Sequence, residues 1–212
     1  GTTNLLLYSE QFDNMAWIKG QSTIIANATI SPFGTQTADK LIANTVSDIH
    51  SCYQLCSGLS SNVNYTFSVY LKKAEYKYAN ISIDQSNRYN RTFVIVDLDT
   101  GQFVNGPKVI GTGCALVQAK SEYVANGFWR VQITVNSGSN TSLTAAVWAV
   151  ANGYEVQDIP TFVGDGTSGI YLFGAQFEAK AYATSYCSTT STTFTRSPET
   201  LTIPTAGVLN PQ

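Results

Sequence analysis

Charge is scarce in this chain. Of its 212 residues, 12% are Asp, Glu, Lys or Arg, about half the ~25% of an average soluble domain. The 12 basic and 14 acidic residues form no run of one sign. No nucleic-acid partner is expected, because neutralising phosphates takes clustered Lys and Arg. Long apolar runs are missing as well. None approaches the ~18–20 residues that span a bilayer, and Leu5-Leu6-Leu7 is too short, and lacks the basic flank, for a signal peptide. Membrane insertion is not expected either. Histidine occurs once, at His50. A Ser-His-Asp triad would have to use it, and the chain has no Gly-x-Ser-x-Gly elbow to present the serine.

Cysteine is sparse too, at Cys52, Cys56, Cys114 and Cys187. Cys52 and Cys56 stand four apart in a strand-like run, on one face but ~13 Å apart, too far to bond each other. Zinc would need ligands beyond His50 and Cys52, so a buried or surface strand residue is the preferred reading of His50. Free thiols are the default, and a bridge from Cys187 to Cys52 or Cys56 stays open. Asp97-Leu98-Asp99-Thr100-Gly101 lacks the third carboxylate, the spaced glycine and the distal Glu of a calcium loop, and reads as a hairpin turn. Gly164-Asp165-Gly166-Thr167-Ser168-Gly169 has no Lys and no following helix, so it is a turn and not a phosphate cradle.

What the chain has in quantity is Tyr, Thr, Ser, Asn and Gly, with 43% hydrophobic residues to build a core. Period-two rows dominate: Phe67, Val69, Leu71; Ala79, Ile81, Ile83; Val94, Val96, Leu98; Trp129, Val131, Ile133, Val135; Leu143, Ala145, Val147, Ala149. No long segment has helical periodicity, and turn clusters punctuate the rows at 85–87, 136–140 and 164–169. The fold class is therefore all-β, an antiparallel β-sandwich or jelly roll. Trp17 and Trp129 read as packing residues.

The residues between the core rows are the candidate site. A hairpin through 85–88 would set Ser82 opposite Arg91, Asn80 opposite Phe93 and Tyr78 opposite Ile95, gathering all six on one outward face. Tyr70, Gln132 and Trp148 also alternate with core positions and face outward. Flat rings stack on the apolar face of a pyranose, while amides and a guanidinium bond its hydroxyls. The expected carbohydrate-binding residues are therefore Trp148, Tyr78, Arg91, Phe93, Asn80, Tyr70 and Gln132. The bland alternative is a covered sheet face or a subunit interface. The outward carboxylates Asp84 and Asp97 would lie roughly 25 Å apart, beyond the ~5–10 Å of paired glycosidase carboxylates. No catalytic residues are assigned, and an enzyme is not expected.

Composition shifts after Tyr186. Residues 1–186 read as the sandwich, and 187–212, Ser/Thr-rich at first, as a linker or extended strap.

Several segments carry a family resemblance. Asn4-Leu5-Leu6-Leu7-Tyr8-Ser9-Glu10-Gln11-Phe12 with Trp17-Ile18-Lys19 opens the chain. Gly169-Ile170-Tyr171-Leu172-Phe173-Gly174-Ala175-Gln176-Phe177-Glu178 with Ala183-Thr184-Ser185-Tyr186 closes it. Between them stand Tyr65–Lys72, Asp97–Gly101 and Asn126-Gly127-Phe128-Trp129-Arg130-Val131. In this order they resemble a β-sandwich module of bacteriophage tail and fibre proteins, itself similar to concanavalin-like and carbohydrate-binding jelly rolls. Leu201–Gln212 is similar to the first strand of a laminin-G-like module found downstream in such proteins. The resemblance implies a non-catalytic carbohydrate-binding module of a phage adhesion or tail-fibre protein, folded in the bacterial cytoplasm and carried on the virion. Its partners would be a polysaccharide or cell-surface glycan and neighbouring domains of the fibre. The alternative is a structural or oligomerisation module without a ligand of its own. No organic cofactor is implied. The resemblance allows a structural calcium, for which no ligands are assigned.

Overall fold

The computed structural model describes residues 1–198. Among them are sixteen strands and no helix: β1 (Thr2–Asn4), β2 (Ile18–Gly20), β3 (Ser22–Thr29), β4 (Ala38–Ala43), β5 (Ser47–Asp48), β6 (His50–Ser57), β7 (Asn64–Lys73), β8 (Tyr78–Asp84), β9 (Arg91–Asp97), β10 (Phe103–Ile110), β11 (Ala115–Ala125), β12 (Phe128–Asn136), β13 (Ser142–Val150), β14 (Phe162–Val163), β15 (Gly169–Glu178) and β16 (Phe194–Arg196). Two six-stranded sheets face each other, ordered β10-β9-β8-β13-β6-β2 and β11-β12-β7-β15-β4-β3. Every pairing is antiparallel. The chain repeatedly crosses between the sheets, so this is a β-sandwich of jelly-roll type.

The core is built from the period-two rows. Phe67, Val69 and Leu71 of one sheet meet Ile81, Val94, Val96, Ala145 and Val147 of the other, with Trp17, Leu6 and Phe12 closing one end. Trp129 packs at the opposite rim and donates its indole N–H to the Leu98 carbonyl at 3.0 Å. Gly101 completes the expected turn with φ of 71°. A Cβ there would lie 2.3 Å from the Trp129 ring, so glycine is required twice over.

The first and last segments meet. Asn4 is fully buried and spends its whole amide. Its N–H₂ donates to the carbonyls of Ala175 and Cys187, and its oxygen accepts from Leu6 and Phe177. β1 does not join a main sheet and instead pairs with β16. The sandwich boundary expected at residue 186 is thus too early. Cys187 and Thr189 are buried, and the Thr189 hydroxyl donates to the Leu6 carbonyl at 2.7 Å. The Ser/Thr-rich segment is a strap bonded to the domain: the Thr189 hydroxyl and the backbone carbonyls of Thr189 and Thr190 meet Leu6, Tyr8 and Ser9. The segment similar to a laminin-G strand, Leu201–Gln212, lies outside the described residues.

All four cysteines are free and buried, and no bridge joins Cys187 to Cys52 or Cys56. Burial pushes the Cys56 thiol up to about 12, which makes it inert. His50 is a buried pin: its ring nitrogens face the carbonyls of Gln21 and Phe162 at 2.6 and 2.9 Å. Among the described residues no cluster of His, Cys, Asp and Glu is arranged to hold a metal ion. In the loop before β2 the cation is a side chain. The Lys19 ammonium donates into the carbonyls of Phe12, Asp13, Asn14 and Trp17 at 2.7–3.2 Å.

Candidate functional site

The outer face of the β10-β9-β8-β13-β6-β2 sheet has two halves. Tyr78, Phe93, Ile95 and Val150 form an apolar patch, and Tyr154 of the 151–161 loop packs on it. Three residues pin that loop: Arg91 donates to the Asp158 carbonyl, and Asn105 and Lys108 donate to the Asp158 carboxylate at 3.1 and 2.8 Å. Beside this cover the face opens into a cleft of about 500 Å³. Its floor is Thr144, Ala146 and Trp148 of β13, Ser51 and Tyr53 of β6, and Gly20 of β2. The β8–β9 turn, with Asn87, Arg88 and Tyr89, forms one wall, and Gln21 and Asp48 the other. A salt bridge from Arg88 to Asp48 ties the walls together.

The observed β8–β9 register differs from the expected one by two residues. Asp84 faces Arg91, Ser82 faces Phe93, Asn80 faces Ile95 and Tyr78 faces Asp97. The turn is longer than it reads, because Gln85 bonds back to Asn90 and residues 86–89 stand out as a loop. A shift of two preserves the face, since side chains alternate with period two. Tyr78, Asn80, Arg91, Phe93 and Trp148 therefore do share one face. Tyr70 and Gln132 do not. They lie on β7 and β12 of the opposite sheet, pointing away on its outer side. There Tyr70 packs with Phe128 and Phe173, and Gln132 accepts from the Ala183 N–H. Alternation identifies outward residues but not which of two outer faces they occupy.

Burial corrects the reading further. Asn80, Arg91 and Phe93 are fully buried and Trp148 is 2% exposed, so the indole expected to stand exposed on the outer face is covered. The Arg91 side chain crosses β8 to lie 3.8 Å from the Trp148 ring centroid and 4.2 Å from that of Phe93. Guanidinium and indole thus roof Asn80 and Ser82. Of the five, only Trp148 lines the cleft.

Beneath this roof is an unusual polar cluster. Both amide atoms of Asn80, the Ser82 hydroxyl, one Asp84 oxygen and two Arg91 nitrogens are buried without a hydrogen-bond partner among the described residues. Asp84 is the member that reaches the cleft. Burial pushes its carboxyl from 3.8 to about 6, against the opposing pull of the Arg91 charge. Burial also lowers Arg91 to about 10. Asp48 goes the other way, held below its ordinary value by the hydrogen bond from Arg88.

Asp84 should titrate visibly. Its folded value exceeds its unfolded one, so the native state keeps a proton that the unfolded chain has released. The resulting stabilisation is complete below about 3.8 and is lost as pH rises through about 6. A carboxyl-carbon NMR titration is expected to show a midpoint near 6, and a midpoint near 4, the ordinary Asp value, would show that burial is not felt.

The sequence reading missed Tyr53, Tyr89, Arg88, Asp48, Asn87 and Gln21. Tyr53 was findable, since it alternates with Cys52 and Gln54 and faces Ala146 across the ladder. Loop residues carry no such signal.

No family model matches this chain, and no curated protein matches it significantly. Solved structures do. The enzymatically active domain of tailspike protein 4 of bacteriophage CBA120 is 16% identical with a TM-score of 0.45, covering 82% of this chain and 21% of that one. The N-terminal endo-1,4-β-D-xylanase 10B of Clostridium thermocellum, complexed with xylohexaose, is 15% identical with a TM-score of 0.43, over 88% and 29%. TmCBM61, in complex with β-1,4-galactotriose, is 12% identical with a TM-score of 0.44, over 84% and 99%. This chain therefore spans only about a fifth and three tenths of the first two. The structures it resembles are β-sandwich carbohydrate-binding modules and a tailspike domain.

Proposed function

We propose that the cleft binds a hydroxyl-rich saccharide without cleaving it. The observation that carries this reading is the lining. The half-buried Tyr53 and the exposed Tyr89 offer rings, and Gln21, Ser51, Asn87 and Thr144 offer amides and hydroxyls, around one 500 Å³ space. Apolar rings between sparse, fixed polar groups suit a sugar's two kinds of surface. The floor runs along β13 from Thr144 to Trp148, about 13 Å, long enough for more than one ring.

Cleavage is disfavoured by what holds the two carboxylates that line the cleft: Asp48 is committed to its salt bridge with Arg88, and Asp84 is buried. Taken with the sequence resemblance, we propose a role in attaching a phage fibre to a host-surface glycan, on the virion.

A glycan array on the domain, followed by calorimetry of any ligand found, tests the reading. Tyr89 is 60% exposed, so Tyr89→Ala should weaken binding by about 1–3 kcal/mol, the scale of an aromatic anchor, with melting unchanged. An empty array sinks the proposal. A ligand bound equally well by Tyr89→Ala moves the site elsewhere.

A further inference from the structure

The longest strand among the described residues is an edge. β11 has β12 on one side and no strand on the other among the described residues. Edges of this length invite pairing unless they are bulged, blocked by proline or blunted by charge, and the charges of this edge, Lys120 and Glu122, are of opposite sign. β11 contains no proline, and its irregularities fall between Leu116 and Gln118 and between Tyr123 and Ala125. Gln118 to Tyr123 is left as a regular ladder with a bare outer side. Val117, Tyr123 and Val124 are exposed on it.

We propose that a second copy of this chain pairs with β11, antiparallel, about a two-fold axis through Ser121. A two-fold perpendicular to the sheet keeps each face on its own side, so it must pass through a residue and not between two. Charge then selects which residue. Lys120 and Glu122 both point outward, opposite Gln132 and Arg130 of β12. An axis through Lys120 or Glu122 sets like charges against each other. One through Ala119 or Tyr123 leaves both without an opposite charge. Only Ser121 places Lys120 opposite the partner's Glu122, and Glu122 opposite the partner's Lys120.

Within one chain Lys120 and Glu122 already form an exposed salt bridge. Across the axis they become a ring of four alternating charges, directly opposed pairs lying ~4.5–5.5 Å apart. A second observation falls on the same residue. The Ser121 hydroxyl is shielded from solvent and has no hydrogen-bond partner among the described residues, and the axis brings the partner's hydroxyl opposite it. On that inner face Tyr123, edge-on to Trp129 at 5.4 Å, lies opposite the small Ala119 of the partner. The pairing would continue the six-stranded sheet through both copies, leaving the cleft on the other sheet open.

Sedimentation of the whole chain at tens of micromolar should show a dimer. K120E and E122K each oppose like charges at two places and should raise the dissociation constant roughly tenfold or more. Mixed together, the two variants restore opposite charges everywhere and should form a heterodimer as tight as the native pair. Both side chains are more than half exposed, so neither change should affect folding. S121C should cross-link on mild oxidation, seen as a doubled mass on a non-reducing gel, because the four native cysteines are buried. A monomeric wild type, variants that dimerise as before, a mixture that stays monomeric, or an S121C chain that does not cross-link would each overturn the proposal.

Discussion

Replacing Trp148 by alanine is expected to destabilise the fold by about 3–5 kcal/mol, the range for emptying a large buried aromatic site. The indole is among the largest fully buried side chains, and its removal does more than open a cavity. The Arg91 guanidinium lies 3.8 Å from the indole's ring centroid, with two nitrogens lacking hydrogen-bond partners among the described residues. Without the ring, a buried guanidinium loses its main contact on that side, and cation–π contacts of desolvated groups contribute about 2 kcal/mol. Saccharide binding should fall in parallel, because Trp148 forms cleft floor. Trp148→Phe keeps an aromatic surface under Arg91 and should recover more than half the loss. Chemical denaturation of both variants checks this. A loss below ~1 kcal/mol, the range of ordinary surface changes, would show that the indole is a ligand platform and not a packing element.

Ending the chain after Tyr186 should abolish cooperative melting near room temperature, whereas ending it after Arg196 should not. Residues 187–196 satisfy groups that nothing else can reach. The Cys187 carbonyl accepts from Asn4, and its N–H donates to Gln176. Thr189 donates its hydroxyl to Leu6 and its N–H to Ser9. The Tyr8 N–H bonds the Thr190 carbonyl at 2.9 Å. Orphaning each buried partner costs about 1–3 kcal/mol, and several together rival the ~5–15 kcal/mol by which domains are stable. Circular dichroism melts of the two truncations decide it. Equal melting temperatures would reduce the strap to decoration.

The core was legible because alternation is local. Phe67, Ile81, Val94, Val131 and Ala145 each declare a face through their immediate neighbours, and all five lie in the core. The shared face of Tyr78, Asn80, Arg91, Phe93 and Trp148 was legible for the same reason. Strand order is not local, which is why Tyr70 and Gln132 were placed on that face although they belong to the opposite sheet. Nor is coverage. Nothing in the pattern around Trp148 announces that Arg91 crosses a strand to lie on it, or that Asp158 anchors a loop over Phe93. Tyr89 and Arg88 sit in a turn, where position follows from contacts made far away, such as that with Asp48. The strap was readable as composition only, since serine and threonine look alike whether they face water or bond back to the domain.

Lys19 gives the opening loop a property that a bound ion could not. A dissolved cation leaves by dilution, competes with others and yields to a chelator. The ammonium that gathers the carbonyls of residues 12, 13, 14 and 17 is delivered by the strand that follows them, at an effective concentration set by a few residues of chain. The loop therefore closes as soon as β2 docks on β6, in any medium. The domain carries this part of its mineral supply within its own sequence.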